Sequence, residues 1–238
     1  MEERERHGIE NTELYAESDA ERNGAAGEDQ RRKGEAFFAG MRELREMEHL
    51  YNAAIRQLTM KFEILNAEFK IKYARSPIHH IESRLKSTQS IIRKLMQKEY
   101  PVSIESARMN LNDIAGVRVV CCYIDDVYSV EDMILRQSDI KLLKRQDYIK
   151  EPNYNGYRSL HLDLEIPIYL SEHTEYVRTE VQIRTVAMDF WASLEHDLRY
   201  KSKKNIPEGL CAEMLACAEE IAGIDRKMQE IYKSIQEI

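Results

Sequence analysis

Two acids in this chain are placed to hold a divalent cation between strands. Asp113 precedes the β-branched run Val117-Arg118-Val119-Val120, and Glu180 lies inside RTEVQIRT, residues 178–185. Strand alternation puts Glu180, Gln182 and Arg184 on one face of that segment and Val181 and Ile183 on the other. A pair of carboxylates from different strands suits Mg²⁺, which takes hard oxygen ligands and shares its shell with substrate phosphates. A row of polar residues on one sheet face is equally what a solvated face looks like. Residues 70–101 carry eight Lys and Arg against Glu82 and Glu99. Such an island fits a polyphosphate or a nucleic-acid backbone, or a solvated helix face. Arg84, Lys86, Lys94 and Arg118 are its long cations nearest the expected strand ends. A third cluster surrounds Asn155-Gly156, a tight-turn signal flanked by Tyr154, Tyr157 and Arg158, with His161 four residues beyond Tyr157.

Other chemistries are absent. There is no G-x-x-x-x-G-K-[ST] loop and no G-x-G-x-x-G, so a bound nucleotide must be held by side chains. His196-Asp197 is an HD dipeptide in a stretch rich in packing residues, and a hydrolytic metal site would need further ligands on other helices. Cys121, Cys122, Cys211 and Cys217 match no zinc spacing and read as reduced, buried thiols.

Apolar residues make up 43% of the 238, enough for a core. No apolar run reaches the roughly 18 residues a membrane span needs. The start, MEERERHGIE, has no apolar signal region, which points to a cytoplasmic protein. The net charge of −7 lies mostly in residues 1–48, which hold 14 acids and 8 bases. Residues 1–32 lack apolar periodicity and are expected to form a disordered acidic tail.

The elements that must position these groups follow from periodicity. A long amphipathic helix, broken at most once, is expected over 33–73, with Phe37, Met41, Leu44, Met47, Leu50, Leu58 and Phe62 in its stripe. Residues 78–85 are ambiguous. A helix over 87–99 should turn Ile91, Ile92, Leu95 and Met96 inward. Strands are expected at 117–124, 140–149, 158–170 and 175–185, the last two as a hairpin, with helices at 125–137 and 186–201. A final amphipathic helix over 208–237 carries Leu210, Met214, Cys217, Ile221, Ile224, Met228, Ile231 and Ile235 on a face that a lone chain would expose and that should mediate self-association. The sum is an α+β fold, a mixed sheet with flanking helices and long helices at both ends.

Four strings in order, HHIESRLKSTQSIIRKL (79–95), NLNDIAGVRVVC (110–121), DYIKEPNYNGYRSLH (147–161) and TEVQIRTVAMDFWASLEHDLRYK (179–201), resemble the alarmone synthetases. The likeness is to the small members, which carry the RelA/SpoT-type synthetase domain alone. It implies a polymerase-β-like nucleotidyltransferase fold over residues 33–205, with residues 206–238 as an oligomerisation helix. It implies transfer of the β,γ-pyrophosphate of ATP to the ribose 3′-hydroxyl of GDP or GTP, with Mg²⁺, in a homotetramer. It would make Arg84 and Arg118 the adenine sandwich, with Lys86, Ser90 and Lys94 on the ATP phosphates. Asp113 and Glu180 would hold the metal, Glu180 also activating the hydroxyl. Tyr157 would stack on guanine, lifted clear of the sheet by the Asn-Gly bend, with His161 and Gln182 beside the acceptor. Asp189 is either a reader of the guanine edge or a helix-surface acid. Where many members have Pro-Lys before the turn, this chain has Pro152-Asn153, which leaves the choice between GDP and GTP open. Relatives of the family modify the 3′ end of tRNA, but outside residues 70–101 the body holds 19 bases against 26 acids, so nucleic acid is not expected as substrate. An inactive nucleotide-binding scaffold would have no use for the acid pair.

Overall fold

The computed structural model describes the backbone of residues 2–201 and 206–237, and the side chains of residues 30–198 and 206–237. The chain divides into two units, Met1–Met47 and Glu48–Ile238. Helix α1 runs unbroken over Glu2–Tyr73. Its backbone includes most of the expected tail, of which the side chains of residues 1–29 lie outside the described residues. In the first unit Phe37 and Met41 of the expected stripe are exposed, as is Phe38 outside it. In the second unit the stripe is real: Leu50, Ala54, Leu58, Phe62 and Leu65 recur at helical spacing and are buried. The helix stops where Ala74 takes a left-handed φ of 55° and Ser76-Pro77 follows.

The ambiguous segment is a strand, β1 (Ile78–Leu85), followed by helix α2 (Thr88–Gln97), strand β2 (Ala115–Cys121) and helix α4 (Ile124–Leu135). Between α2 and β2 lies a short helix, α3 (Ile104–Asn110), that sequence periodicity misses. Seven residues are too few to show a period. Its local signal is Ser103, which caps it by accepting a hydrogen bond from Ser106 N at 3.0 Å. In α2 only Ile91 and Leu95 are buried; Ile92 and Met96 face outward.

Strands β3 (Lys141–Asp147), β4 (Leu160–Tyr169) and β5 (Thr174–Thr185) complete one five-stranded sheet in the order β1-β2-β5-β4-β3. Only β2 and β5 are parallel, so the sheet is mixed as expected. Pro167 is tolerated in β4 because the β3 ladder ends at Glu165, leaving the proline without a neighbour on that side. One face is apolar and closed: Val117, Val119, Leu160, Leu162, Val181 and Ile183 are buried, with α4 against β2 and β5. Helix α5 (Val186–Lys201) follows β5 directly, and α6 (Glu208–Gln236) packs on it. The expected boundary at 205–206 adjoins residues 202–205, which lie outside the described residues.

The last helix is turned round relative to its apolar pattern. Its inward positions are Ala218, Ala222, Asp225 and Gln229, while Leu210, Ile224, Met228, Ile231 and Ile235 are exposed. Small residues and specific polar ties let it approach closely. Asp225 accepts from Thr185 Oγ1 at 2.6 Å, and Gln229 accepts from Asp125 N at 2.9 Å. Cys217 is exposed and all four thiols are free, so burial of all four was the wrong expectation.

Gly156 has φ +80°, and a Cβ there would sit 2.5 Å from Ala218 Cβ. The Asn-Gly turn therefore seats directly on α6. Gly156→Ala should cost about 1–3 kcal/mol, from the left-handed backbone and the overlap together. Adding Ala218→Gly should restore the overlap part only. Thermal denaturation checks this, and an unchanged melting temperature in Gly156→Ala would contradict the close seating.

Candidate active site

The open face of the sheet gathers the charged and polar side chains singled out from the sequence, and its layout follows from register. Arg84 of β1 lies opposite Gly116 of β2, Gly116 opposite Glu180 of β5, and Glu180 opposite Asp163 of β4. The adjacent row is Glu82, Arg118, Gln182 and His161. With strands about 4.8 Å apart, a glycine between Arg84 and Glu180 opens a gap of roughly two strand spacings. A cleft of about 470 Å³ occupies it, lined by Glu82, Arg84, Lys86, Asp113, Gly116, Arg118, Glu180 and Gln182 among others. Six of the expected site residues meet here. Ser90 and Lys94 do not line it. Ser90 is tied to the α2 cap, its hydroxyl 2.9 Å from Ser87 Oγ.

Asp113 sits in the loop just before β2. Lys86 Nζ at 2.5 Å and Lys94 Nζ at 2.6 Å both donate to its Oδ2. Lys94 thus reaches the cleft through this carboxylate. Burial pushes the Asp113 carboxyl up, but the two lysines outweigh it and hold the group below its usual range. Its Oδ1 is buried with no hydrogen-bond partner among the described residues. Glu180 is also mostly buried. Burial and repulsion from Asp113 raise its pKa, while His161 and Gln182 lower it, and the lowering wins. Two ionised carboxylates close enough to repel, one with an orphaned oxygen, fit a hard divalent cation completed by substrate oxygens. No cluster of three or more potential ligands occurs among the described residues, His196 and Asp197 included.

Arg84 is exposed and has no ion-pair partner among the described residues. Arg118 is held from both sides, by Glu82 Oε2 at 3.0 Å and Asp189 Oδ1 at 3.3 Å. Asp189 also meets Arg184 Nη1 at 3.2 Å and is only 16% exposed, so it is not a helix-surface acid.

On the far side of Glu180 five side chains close a ring. Arg184 Nη2 donates to Tyr157 Oη and to Gln182 Oε1, each at 2.6 Å. Gln182 Nε2 donates to Glu180 Oε2 at 2.8 Å. His161 links the ends, with Nδ1 3.5 Å from Glu180 Oε1 and Nε2 2.8 Å from Tyr157 Oη. The Tyr157 ring does not stand clear of the sheet as expected from the turn. It is half-buried, edge-on to Tyr148 and His161, and packs toward Trp191 and Ala218. Lys150 Nζ lies 5.3 Å from the Tyr128 ring centroid. The turn is pinned by Asn155 Nδ2 to Glu195 at 3.0 Å and by Arg158 to Glu219 at 2.9 Å.

Four residues of this geometry were given no role from sequence. Glu82 and Arg184 were findable, since each is two positions along its strand from a named residue. Gly116 and Asp163 become visible only once the strands are paired.

Residues 83–205 match the sequence model of the region found in RelA / SpoT proteins. The chain is 42% identical over 186 residues to the GTP pyrophosphokinase YwaC of Bacillus subtilis, covering 78% of this chain and 89% of that one. It is 35% identical over 188 residues to the GTP pyrophosphokinase YjbM of the same organism, covering 79% and 87%. Its fold matches the crystal structure of small alarmone synthetase 1 from Bacillus subtilis bound to its product pppGpp, with a TM-score of 0.72 at 33% identity. That match covers 78% of this chain and 94% of the other. The α+β fold, the four ordered strings and these matches agree: the chain belongs to the RelA/SpoT family.

Proposed function

We infer that the protein is a (p)ppGpp synthetase. It transfers the β,γ-pyrophosphate of ATP to the ribose 3′-hydroxyl of GDP or GTP and releases AMP. The observation that carries this is the meeting of Asp113, Glu180, Lys86, Arg84 and Arg118 around one open gap, in a chain that resembles GTP pyrophosphokinases over most of its length.

On this reading two substrates lie side by side over the sheet. The donor lies over β1 and β2. Arg84 and Arg118 present flat guanidinium groups to its adenine, a contact that suits a purine face. Lys86 and Lys94, held at rest by Asp113, turn to its phosphates. The acceptor lies over β5 and β4, against Tyr157, His161 and Gln182. Glu180 stands at the boundary. The acceptor 3′-oxygen attacks the β-phosphorus in line, the bond from that phosphorus to the α,β-bridging oxygen breaks, and AMP leaves with that oxygen. The hydroxyl proton passes toward Glu180, kept ionised by His161 and Gln182. Two nucleotides here bring on the order of six to eight negative charges, at ~1.5–2 per terminal phosphate. Asp113 and Glu180 would hold a magnesium ion, which would supply further countercharge to the phosphates.

We propose that the reaction takes place in the cytoplasm, where ATP and GTP are available. No described helix is long and apolar enough to cross a membrane. We propose that the outward stripe of α6, with Phe190 beside it, joins copies of the chain into a tetramer; Ile224 is 62% exposed and Phe190 56%.

Labelled ATP, Mg²⁺ and GDP or GTP should give guanosine tetra- or pentaphosphate. Glu180→Gln and Asp113→Asn should each reduce transfer at least about 100-fold, the scale of losing a charge-stabilising group. Transfer at the wild-type rate in either would remove the paired-acid site. Acid adds a second readout. The Asp113 pKa is depressed on folding, so its stabilisation is present above the ordinary value of 3.8 and is lost as pH falls through the folded value. The stability gap between wild type and Asp113→Asn should therefore narrow below about pH 4. A constant gap would mean that the lysine contacts do not matter.

Gly116→Val tests the gap itself. A Cβ at Gly116 meets nothing closer than Arg84 O at 3.7 Å, so the sheet should survive the change. The side chain would fill the space between Arg84 and Glu180. The ATP Michaelis constant should rise about tenfold or more, the cost of occupying a shape-matched pocket. Unaltered kinetics would move the donor elsewhere.

Ile224→Glu with Met228→Glu should reduce the mass in solution, measured by light scattering. An unchanged oligomer would assign assembly to another surface.

A further inference from the structure

Arg184 is the most buried cation of the sheet's open side, 4% exposed, and its donors are nearly spent. Nε donates to Ser159 Oγ at 3.2 Å, Nη1 to Asp189 Oδ1 at 3.2 Å, and Nη2 to Tyr157 Oη and Gln182 Oε1. The guanidinium carbon also lies 5.2 Å from the Tyr157 ring centroid. A side chain so enclosed has no surface left to touch a nucleotide. A buried guanidinium without an anion would be strongly unfavourable, and Asp189, itself largely buried, is the carboxylate in contact with it.

We propose that Arg184 is a positioning residue for the acceptor side of the cleft, with Asp189 as its counter-ion rather than a reader of the acceptor base. The proposal rests on the pyrophosphate-transfer reading and refines it. Nη2 holds Tyr157 and Gln182 while Nε and Nη1 hold Ser159 and Asp189, a spread of four contacts that the single nitrogen of a lysine cannot reproduce. Because Arg184 donates to Tyr157 Oη, the tyrosine's own hydrogen is directed to His161 Nε2. The imidazole then turns its Nδ1–H toward Glu180. Gln182, held by the same nitrogen of Arg184, donates its amide to the other oxygen of Glu180. One buried cation thus orients Tyr157, His161 and Gln182, the three groups given to the acceptor. Arg184 and Arg118 both lie on Asp189 Oδ1, and a carboxylate whose charge two guanidinium groups already share is a weaker acceptor for the N1–H and N2 amino group of guanine.

The test uses the full chain with ATP and two acceptors, GDP and inosine diphosphate, which lacks the 2-amino group. In Asp189→Ala the ratio of kcat/KM for GDP over inosine diphosphate should stay within about twofold of wild type, since a lost edge contact would change it far more. A ratio falling toward one would make Asp189 a base reader and overturn the proposal. Arg184→Lys should raise the acceptor Michaelis constant about tenfold, the loss of one charge-assisted hydrogen bond, and that of ATP less than about twofold. Equal effects on both substrates, or none, would overturn it. Should Arg184→Lys not fold, as thermal denaturation would reveal, Tyr157→Phe breaks the same contact from the other end, and the same acceptor-selective rise is required of it. A wild-type protein that transfers nothing would defeat the functional reading. Transfer with the wrong ratio would defeat this inference alone.

Discussion

Two lysine ammonium groups share one oxygen of Asp113, and the cleft depends on that contact. A site for polyphosphates needs cations where substrate will lie, yet half-buried cations lose hydration and repel one another when nothing is bound. Asp113 resolves the conflict by giving Lys86 and Lys94 a common partner. The same solution recurs across the sheet. Arg118 rests on Glu82 and Asp189, and Arg184 on Asp189. Arg84, which is exposed and retains its hydration, has no such partner among the described residues. The cations are thus kept in position before any substrate arrives, and on the proposed reading an arriving phosphate exchanges one anionic partner for another. Orienting them beforehand lowers the cost of binding.

Register turns this charge arrangement into a reaction geometry. Strand pairing alone puts Arg84, Gly116, Glu180 and Asp163 in one line across the sheet. The missing side chain at Gly116 separates Arg84 from Glu180, on the proposed reading the donor cation from the central acid. The parallel pairing of β2 with β5 matters here. It sets Glu180 beside Gly116, three residues after Asp113, so two acids distant in sequence face one space. A shift of one residue in β5 would send Glu180 to the apolar face and Val181 into the cleft. The buried run on the opposite face, Val117, Val119, Val181 and Ile183, excludes that shift.

Much of this was legible in the chain. Alternation in RTEVQIRT placed Glu180, Gln182 and Arg184 together, and the β-branched run after Asp113 marked the neighbouring strand. The strand and helix order was recovered apart from α3, whose seven residues leave no period to detect, and β1, whose segment was ambiguous. Pairing between strands was not legible, because nothing local says which strand lies beside which, and so Gly116 and Asp163 had no visible role. Tyr157 was misjudged for a related reason. The Asn-Gly signal predicts a tight bend but not that Ala218, sixty-two residues later, lies against it. The α6 stripe was read as a face that a lone chain exposes, and most of it is exposed. Hydrophobic periodicity identifies a face that leaves water, and it does not say whether the partner is the same chain or another.

That ambiguity in α6 carries a structural consequence. The inward face uses Ala218 and Ala222 for closeness and Asp225 and Gln229 for direction, and it holds the turn that bears Tyr157. The outward face presents Ile224, Met228 and Ile231. A helix on small residues and a few hydrogen bonds gains less from burial than one that packs with leucine and isoleucine. Its seat is therefore more easily shifted than the β-sheet core beneath it. If copies of the chain meet through the outward stripe, the apolar burial absent from the inner face is supplied from outside. The Asn-Gly turn would then be braced by assembly, since Gly156 cannot keep its contact with Ala218 if α6 moves.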